Sequence, residues 1–403
     1  MKNIMLLVAA LGVLPAGSAY ADGGVQFGVT SFNGAWAGSA SDYQLHHQVC
    51  TAVSWCNTRP QRRPGETVAT PDSVKLAQQC EADTRAATAR LAPGGLIAPC
   101  SAYSRPGTAP VETAADYQRK LDAMRKTIGD LIATDDVKVL AFQEIRSVAV
   151  IEDMLGKHAA RFATCVAAHD EFQTVGFAWD RSLSSMPGVC TTHAALAVKE
   201  DPADPASHAV RPGLALQLQI AGKPLTFMNV HLKASCANLV SSGRYPGRKL
   251  SDPDPACRVL NRQVPILEQW IKTVARASPD FVLLGDFNRR IDEELQANVP
   301  ANEVRTDHSL PASDNLPDAA GYVRTSYLWQ EIADGTPALH QVPLKQLDAA
   351  CKGFTGLDHI VMSGTLLARQ KQAPTSVKTP VFTFEQQRIE TSDHCPRTMV
   401  LSL

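Results

Sequence analysis

The stretch Phe281-Val-Leu-Leu-Gly-Asp-Phe-Asn288 combines a strand-like apolar run with two polar side chains at its end. The four apolar residues from Phe281 to Leu284 predict a strand that is covered on both faces. Gly285 ends this run and allows the backbone to turn. Asp286 and Asn288 are two residues apart, so an extended backbone presents both on the same side. A carboxylate and an amide held in this way can position a water molecule and bind a phosphate oxygen.

An Asx-rich turn that closes a strand is the ordinary explanation for an isolated Asp-Phe-Asn. Here, however, four other polar clusters also lie at the ends of apolar strand-like runs. They are Ser31-Phe-Asn33, Phe142-Gln-Glu144, Asn229-Val-His231-Leu-Lys233 and Ser392-Asp393-His394, with Leu357-Asp358-His359 just before the last. In this order the clusters resemble the endonuclease/exonuclease/phosphatase superfamily, which includes pancreatic-type deoxyribonucleases and bacterial sphingomyelinases. The resemblance spans the chain from Asn33 to His394.

The fold class expected from this resemblance is α+β. It implies a four-layer α/β/β/α sandwich of two mixed β-sheets flanked by helices, within a single domain over residues 22–403. The sequence itself favours two similar halves, because strand–helix–strand alternation recurs on both sides of residue 200. The helix predicted over Glu112 to Ala133, with apolar residues at steps of three and four, is one covering element.

A metal site is expected around Glu144. The run from Val137 to Phe142 predicts a buried strand that ends next to this glutamate, and a buried carboxylate is costly unless it is compensated. A hard divalent cation would compensate it, which favours Mg²⁺ or Mn²⁺, with Ca²⁺ as a further option. The resemblance adds Asn33 and Asp393 as contributors, either directly or through water.

The predicted catalytic residues are His231, His394, Asp358, Asp286 and Asn288. By resemblance, His231 and His394 form the acid/base pair, with the two roles not assigned between them, and Asp358 orients His394. Asp286 and Asn288 would orient the nucleophilic water and bind a non-bridging oxygen. The expected reaction is direct attack by water without a covalent enzyme intermediate.

Three further residues are predicted to bind phosphate. Asn229, His231 and Lys233 alternate along one predicted strand and therefore share one face, which suits Asn229 and Lys233 for phosphate contacts. Arg211 is added because deoxyribonuclease-like members have an arginine in a similar setting. A structural histidine and a surface arginine are the ordinary alternatives for such positions.

The beginning of the chain predicts export. Met1-Lys-Asn is followed by an apolar run from Ile4 to Leu14 and then by Ala19-Tyr-Ala21, which indicates a signal peptide over residues 1–21 with cleavage after Ala21. The run is too short to span a bilayer, so a transmembrane protein is not expected. The predicted location is the periplasm or the exterior of the cell.

All ten cysteines follow this leader, so disulfide bonds are expected. Sequence proximity predicts the pairs Cys50–Cys56, Cys80–Cys100, Cys165–Cys190, Cys236–Cys257 and Cys351–Cys395. Four of these cysteines lie in an insertion at about 37–111 that departs from the family pattern. We expect disulfides to staple it, whether it shapes access to the active site or is a remote stabilising flap. A second elaboration, at about 235–257, directly follows the His231 cluster.

Charge limits the substrate without identifying it. The formal net charge is −1, or −2 once the leader with its single charged residue, Lys2, is removed, so no overall basic surface for nucleic acid exists. A bound cation can supply positive charge locally, and a nucleic acid, DNA or RNA, is the expected substrate. A lipid or a small phosphoester is the alternative, and no stable protein partner is inferred. A binding protein without catalysis would be expected to lack the ligand set that this chain retains.

Overall fold

The computed structural model describes residues 24–61, 69–103, 109, 111–204, 207–241, 246–299, 326–346, 356–384, 388–389 and 391–403. The predicted leader and its cleavage site lie outside these ranges. Within the ranges, no helix has both the length and the apolar character that crossing a bilayer requires.

The described elements alternate between strands and helices along the chain. The helices are α1 Ala40–Ala52, α2 Pro71–Leu91, α3 Ala114–Thr134, α4 Val148–Leu155, α5 Pro255–Ala277, α6 Ile291–Gln296, α7 Leu328–Ile332 and α8 Gly364–Ala368. The strands are β1 Gln26–Ala37, β2 Val137–Ile145, β3 Phe162–Val166, β4 Thr174–Asp180, β5 Val189–His193, β6 Gly213–Ile220, β7 Lys223–His231, β8 Phe281–Asp286, β9 Leu339–Gln341, β10 Leu344–Gln346, β11 Asp358–Ser363, β12 Ser376–Lys378, β13 Phe382–Phe384, β14 Arg388–Ile389 and β15 Arg397–Ser402.

Two large mixed sheets form the centre of the molecule. The first has the strand order β10-β12-β15-β1-β2-β4-β3, and the second has the order β5-β6-β7-β8-β11-β9. In each sheet the two central strands are parallel, β1 with β2 and β7 with β8, while their outer neighbours are antiparallel. The predicted α+β class with two mixed sheets is therefore confirmed.

Three apolar clusters lie between the four layers and pack them together. One lies between the sheets and contains residues of both, such as Val29 and Phe227. A second packs α3 and α4 against the outer face of the first sheet. A third packs α5 and α7 against the outer face of the second sheet. Helix α3 begins at the predicted place because Thr113 and Asp116 form a capping box.

Gly285 allows β7 and β8 to approach closely. Its φ is +141°, and a Cβ at this position would lie 2.0 Å from the carbonyl oxygen of Val230. No other residue type fits such a contact. The same register places His231 directly opposite Asp286, so this glycine aligns two of the predicted catalytic residues.

The short apolar run from His193 to Lys199 predicts a strand, and this prediction is wrong. The chain turns in a short 3₁₀ helix at Ala194–Leu196, and the strand that pairs with β6 lies earlier, at Val189–His193. Strand β5 is a mostly polar edge strand, Val-Cys-Thr-Thr-His, which no apolar run marks, and its Cys190 is bonded to Cys165 in β3. The disulfide joins the edge strands of the two sheets.

The disulfide pairing is partly as predicted. Cys165–Cys190 and Cys236–Cys257 are confirmed. The pairs Cys50–Cys56 and Cys80–Cys100 are wrong, because the structure bonds Cys50 to Cys100 and Cys56 to Cys80. Helix α1 places Cys50 against the segment near Ala98, whose carbonyl contacts His46, and this proximity overrides closeness in sequence. Cys395 is also disulfide-bonded, and its predicted partner, Cys351, lies outside the described residues.

The described part of the insertion at 37–111 contains helices α1 and α2, and it carries the disulfides Cys50–Cys100 and Cys56–Cys80. Tyr43 of α1 stacks on Tyr117 of α3 with ring centroids 4.5 Å apart. The Tyr103 hydroxyl donates to the carbonyl of Trp36, close to the end of β1. These contacts extend the helical layer of the first sheet toward the strand ends where the predicted site lies.

Candidate active site

The sheet registers bring most of the predicted site residues to one edge of the sandwich. Asn33 and Glu144 lie at the ends of the parallel strands β1 and β2, and His231 and Asp286 end the parallel strands β7 and β8. Asp358 begins β11 and pairs with Asp286 across the antiparallel ladder, and His394 precedes β15. All six side chains are buried.

Asn33 joins two carboxylates that come from different sheets. Its Nδ2 donates to Glu144 Oε1 at 3.3 Å and to Asp286 Oδ2 at 3.0 Å. Its Oδ1 accepts the Ala35 N–H at 2.9 Å, so the amide nitrogen is the group that faces the site. The Trp36 N–H donates to Glu144 Oε2 at 3.2 Å. Asn33 therefore braces the carboxylates, and its predicted role as a metal contributor stays a prediction.

Two residues of this site adopt left-handed backbone conformations that are uncommon outside glycine. The φ angle is +52° at Glu144 and +50° at Asn288. Such conformations cost about 1–3 kcal/mol each and cluster at functional sites. The Asn288 N–H donates to Asp286 Oδ1 at 2.8 Å, so the turn fixes the second oxygen of that carboxylate.

His231 faces the same pair of carboxylates. Its Nε2 lies 3.7 Å from Glu144 Oε1 and 3.5 Å from Asp286 Oδ2. It approaches from the second sheet, as the alternation along β7 predicts. The imidazole is thereby placed within ion-pair distance of both carboxylates.

His394 is held by Asp358. Its Nδ1 lies 3.0 Å and 3.1 Å from the two oxygens of Asp358, and its Nε2 lies 3.7 Å from Asp286 Oδ2. Burial alone would lower the pKa of His394, but the charges of Asp358 and Asp286 raise it to about 10. The imidazole is therefore a cation at neutral pH.

The two aspartates have opposite titration behaviour. Burial raises the pKa of Asp286 to about 7, despite the opposing charge of His394. Burial also acts on Asp358, but Lys378 and His394 outweigh it and lower the pKa of this carboxyl below its usual range. One aspartate thus stays ionised while the other can exchange a proton near neutrality. Separated pKa values of this kind are typical of acid/base sites.

The predicted phosphate-binding residues lie in different surroundings. Asn229 lies between the sheets, where its Nδ2 donates to Phe142 and Gly176 carbonyls and its Oδ1 accepts from Gln143. Lys233 forms a 2.5 Å ion pair with Glu200 on an exposed part of the surface.

Arg211 lies closer to the carboxylates. Its Nη2 donates to the Leu232 carbonyl at 2.7 Å, and the same oxygen accepts from Asn288 Nδ2 at 3.0 Å. Asp393 is buried beside His394, whose pKa it helps to raise. For all of these residues the predicted roles stay predictions.

Two buried lysines lie near the site, and no motif of the sequence marks either of them. Lys378 on β12 places its Nζ 2.8 Å from Asp358 Oδ2. Lys120 on α3 donates to the carbonyls of Gly34 and Thr391, which adjoin the Asn33 and Asp393 segments. In the structure, Lys378 belongs to a strand with an inverted burial pattern. In Ser376-Val377-Lys378 the two polar residues are buried and the valine is exposed.

The donor set fits a hard divalent cation. Glu144 and Asp286 offer buried carboxylate oxygens that share the Asn33 amide as a donor, and oxygen ligands are those that Mg²⁺ and Mn²⁺ prefer. Asp286, Asp358 and His394 also place one ligand atom each within 4.8 Å of one another. Asp358 already engages Nδ1 of His394 by a hydrogen bond, and Nε2 of His394 lies 3.7 Å from Asp286, so Glu144 remains the expected first ligand.

No protein-family model matches this sequence, and no curated protein matches it. Similar solved structures include truncated TDP2 from Caenorhabditis elegans, at 12% identity and a TM-score of 0.41, covering 72% of this chain and 93% of that one. An endonuclease/exonuclease/phosphatase family protein from Bacteroides thetaiotaomicron gives the same four values. The human Nocturnin catalytic domain is 13% identical with a TM-score of 0.39, covering 70% and 87% of the two chains.

Proposed function

We propose that this protein is a divalent-metal-dependent phosphodiester hydrolase of the endonuclease/exonuclease/phosphatase type, and that nucleic acid is its substrate. The observation that carries the proposal is the convergence of Glu144, His231, Asp286 and His394, which are far apart in sequence, on one buried edge of two sheets. A phosphodiester needs charge neutralisation, a positioned water and a proton donor, and this edge offers a residue for each.

Each residue has a role that its contacts support. Glu144, with Asp393 beside His394, would hold the cation, which neutralises charge on the phosphate when bound. Asp286 accepts a proton from the attacking water, because its carboxylate is fixed by Asn33 and Asn288 and burial raises its pKa to about 7.

The histidines act on the phosphate side of this carboxylate. His394 is cationic and directs Nε2 toward Asp286, so it stabilises negative charge on the phosphoryl oxygens. His231 lies beside both carboxylates and donates a hydrogen bond or a proton to the departing oxygen.

The test is hydrolysis by the purified mature protein. Plasmid DNA, single-stranded DNA, RNA, sphingomyelin vesicles and bis-p-nitrophenyl phosphate are each incubated with Mg²⁺ and with a chelator. We expect cleavage of DNA or RNA that the chelator abolishes and that Glu144→Gln and His394→Ala reduce by at least about a hundredfold. Glu152→Gln, an exposed glutamate on α4, and His340→Ala, an exposed histidine on β9, are the matched controls.

The outcomes separate the parts of the proposal. Activity that persists in chelator rules out the metal role. Cleavage of sphingomyelin with nucleic acids untouched rules out the substrate class but keeps the chemistry. Full activity in His394→Ala contradicts the role of its imidazole in stabilising charge on the phosphoryl oxygens.

We also propose that the protein is exported to the periplasm or the cell exterior. The leader-like sequence supports this, and so do the disulfides, which persist in oxidising compartments. Fractionation of a bacterial culture that expresses the whole chain, followed by N-terminal sequencing, should give a mature protein that begins at Asp22. Recovery of the uncleaved chain from the cytoplasm alone would contradict export.

A further inference from the structure

Lys378 is a buried cation that links the two sheets at the candidate active site. It ends β12 in the first sheet, and its Nζ lies 2.8 Å from Oδ2 of Asp358, which begins β11 in the second sheet. The side chains of both residues are at most 1% exposed. The nearest predicted catalytic group on the other side of Asp358 is the His394 imidazole.

In strand β12 the polar residues are buried and the apolar residue is exposed. Ser376 and Lys378 point inward while Val377 is 42% exposed, the reverse of an ordinary half-buried strand. Removing an ammonium group from water costs several kcal/mol, which a single ion pair rarely recovers in stability. A role in the site, rather than stability, is therefore the better explanation of the pair.

Asp358 is held from several directions. Its carboxylate receives Nζ of Lys378 on Oδ2 and Nδ1 of His394 at 3.0–3.1 Å from both oxygens. Its backbone carbonyl accepts from Arg397, whose Nε donates to the Ser376 hydroxyl at 2.9 Å. Strand β12 thus contacts Asp358 through Lys378 directly and through Arg397 indirectly.

We propose that Lys378 is a positioning residue for the hydrolysis proposed above. Its ammonium group holds the Asp358 carboxylate in the orientation that receives Nδ1–H of His394, and this fixes Nε2 of His394 toward Asp286. Lys378 does not touch the reacting atoms and acts only through Asp358. The inference rests on the proposed function, and the sequence motifs of the site do not include this residue.

The test is a double-mutant cycle on bis-p-nitrophenyl phosphate hydrolysis. Lys378→Met should lower kcat by about 10–100-fold, as is usual when the partner of a site residue is removed, and should leave KM within about twofold. Lys378→Arg, which keeps the charge, should recover part of the loss. In an Asp358→Asn background, Lys378→Met should cause no further loss, because its route to His394 is already gone. Lys345→Met, an exposed lysine on the neighbouring strand β10, is the control.

Two results would overturn the inference. One is an equal loss of kcat from Lys378→Met in the wild-type and Asp358→Asn backgrounds. The other is an unchanged kcat in a folded Lys378→Met protein. If this variant does not fold, the Lys378→Arg protein decides: a kcat change that disappears in the Asp358→Asn background supports the role, and any other result contradicts it.

A second readout does not depend on activity. In protein labelled with ¹⁵N-histidine, the Nδ1–H proton of His394 should resonate downfield because it is bonded to Asp358, and Asp358→Asn should abolish that signal. Lys378→Met should shift or broaden it, and Lys345→Met should leave it unchanged. A wild-type protein that cleaves no phosphodiester refutes the proposed function, whereas an unaltered His394 signal in Lys378→Met refutes the positioning role.

Discussion

Divalent cations should stabilise the wild-type protein, and Glu144→Gln should remove that stabilisation. Glu144 and Asp286 are buried carboxylates that share one donor, Nδ2 of Asn33, at 3.3 Å and 3.0 Å. Their mutual repulsion is compensated in the folded site by that amide, by the Trp36 N–H and by nearby histidines. A bound cation would compensate it further, and the unfolded chain has no such arrangement of ligands.

The size of the effect follows from linkage. Free Mg²⁺ at about 100 times its dissociation constant stabilises the native state by about 2.7 kcal/mol. Unfolding entropy is about 2.1 cal/mol/K per residue near 60 °C, which for 403 residues gives about 0.85 kcal/mol/K. The melting temperature should therefore rise by about 3 °C. Glu144→Gln keeps the shape of the side chain but removes its charge, so its shift should be close to zero.

Scanning calorimetry in MgCl₂, and in NaCl of equal ionic strength, measures this difference. The salt control removes general screening, and Glu152→Gln removes a charge of the same kind from an exposed position. Equal Mg²⁺-dependent shifts in the wild type and in Glu144→Gln would place the cation elsewhere and refute the assignment. A shift of equal size in NaCl would show that no specific site is involved.

Two further predictions concern stability. Replacing Cys165 and Cys190 by serine removes the bond between the edge strands of the two sheets. The two cysteines are 25 residues apart, so the loop-entropy treatment predicts a loss of about 3–4 kcal/mol in the free energy of unfolding. An unchanged urea midpoint would contradict this prediction. His208 lies 2.7 Å from both Glu81 of the insertion and Glu171, and the bond to Glu171 is the main cause that raises its pKa to about 9. The stability that His208 adds should therefore be complete below about pH 6.5 and lost as the pH rises through about 9. The melting temperature of the wild type minus that of His208→Gln, followed against pH, measures this, and a difference that does not depend on pH would count against the contact.

Local sequence patterns were sufficient for most of the fold. The short apolar run from Thr174 to Asp180 predicts a strand, and β4 has these bounds. The turn residues Ala221-Gly-Lys-Pro224 predict a hairpin, and β6 and β7 form it with their turn at Ala221-Gly222. These elements are specified by neighbours along the chain. The strand predicted from His193 is wrong because the residues that pair with β6 are Val189–His193, a mostly polar edge strand that no apolar run marks.

The predicted site residues also divide into those that a local pattern identifies correctly and those that it does not. Glu144, His231 and Asp286 were identifiable because each lies at the end of an apolar strand, and His394 because it lies just before the last strand. Strand ends of this kind meet at one edge of a sheet. Asn229 has the same local pattern, yet its amide lies between the sheets bonded to Gln143 and to carbonyls. Spacing selects the face of a strand, but it does not tell how deep along the strand the site begins.

Lys378 is a residue of the site that strand-end patterns do not identify. It has no apolar run before it and no motif around it, and its partner, Asp358, is 20 residues away on a strand of the other sheet. Only the inverted burial of β12 points to it, and the sequence alone cannot show that inversion, because a three-residue strand with one exposed valine resembles any edge strand. If catalysis needs His394 held by Asp358, the lysine that holds Asp358 is under the same requirement. Active-site residues that act through a partner must therefore be found from buried charge, since no strand-end pattern marks them.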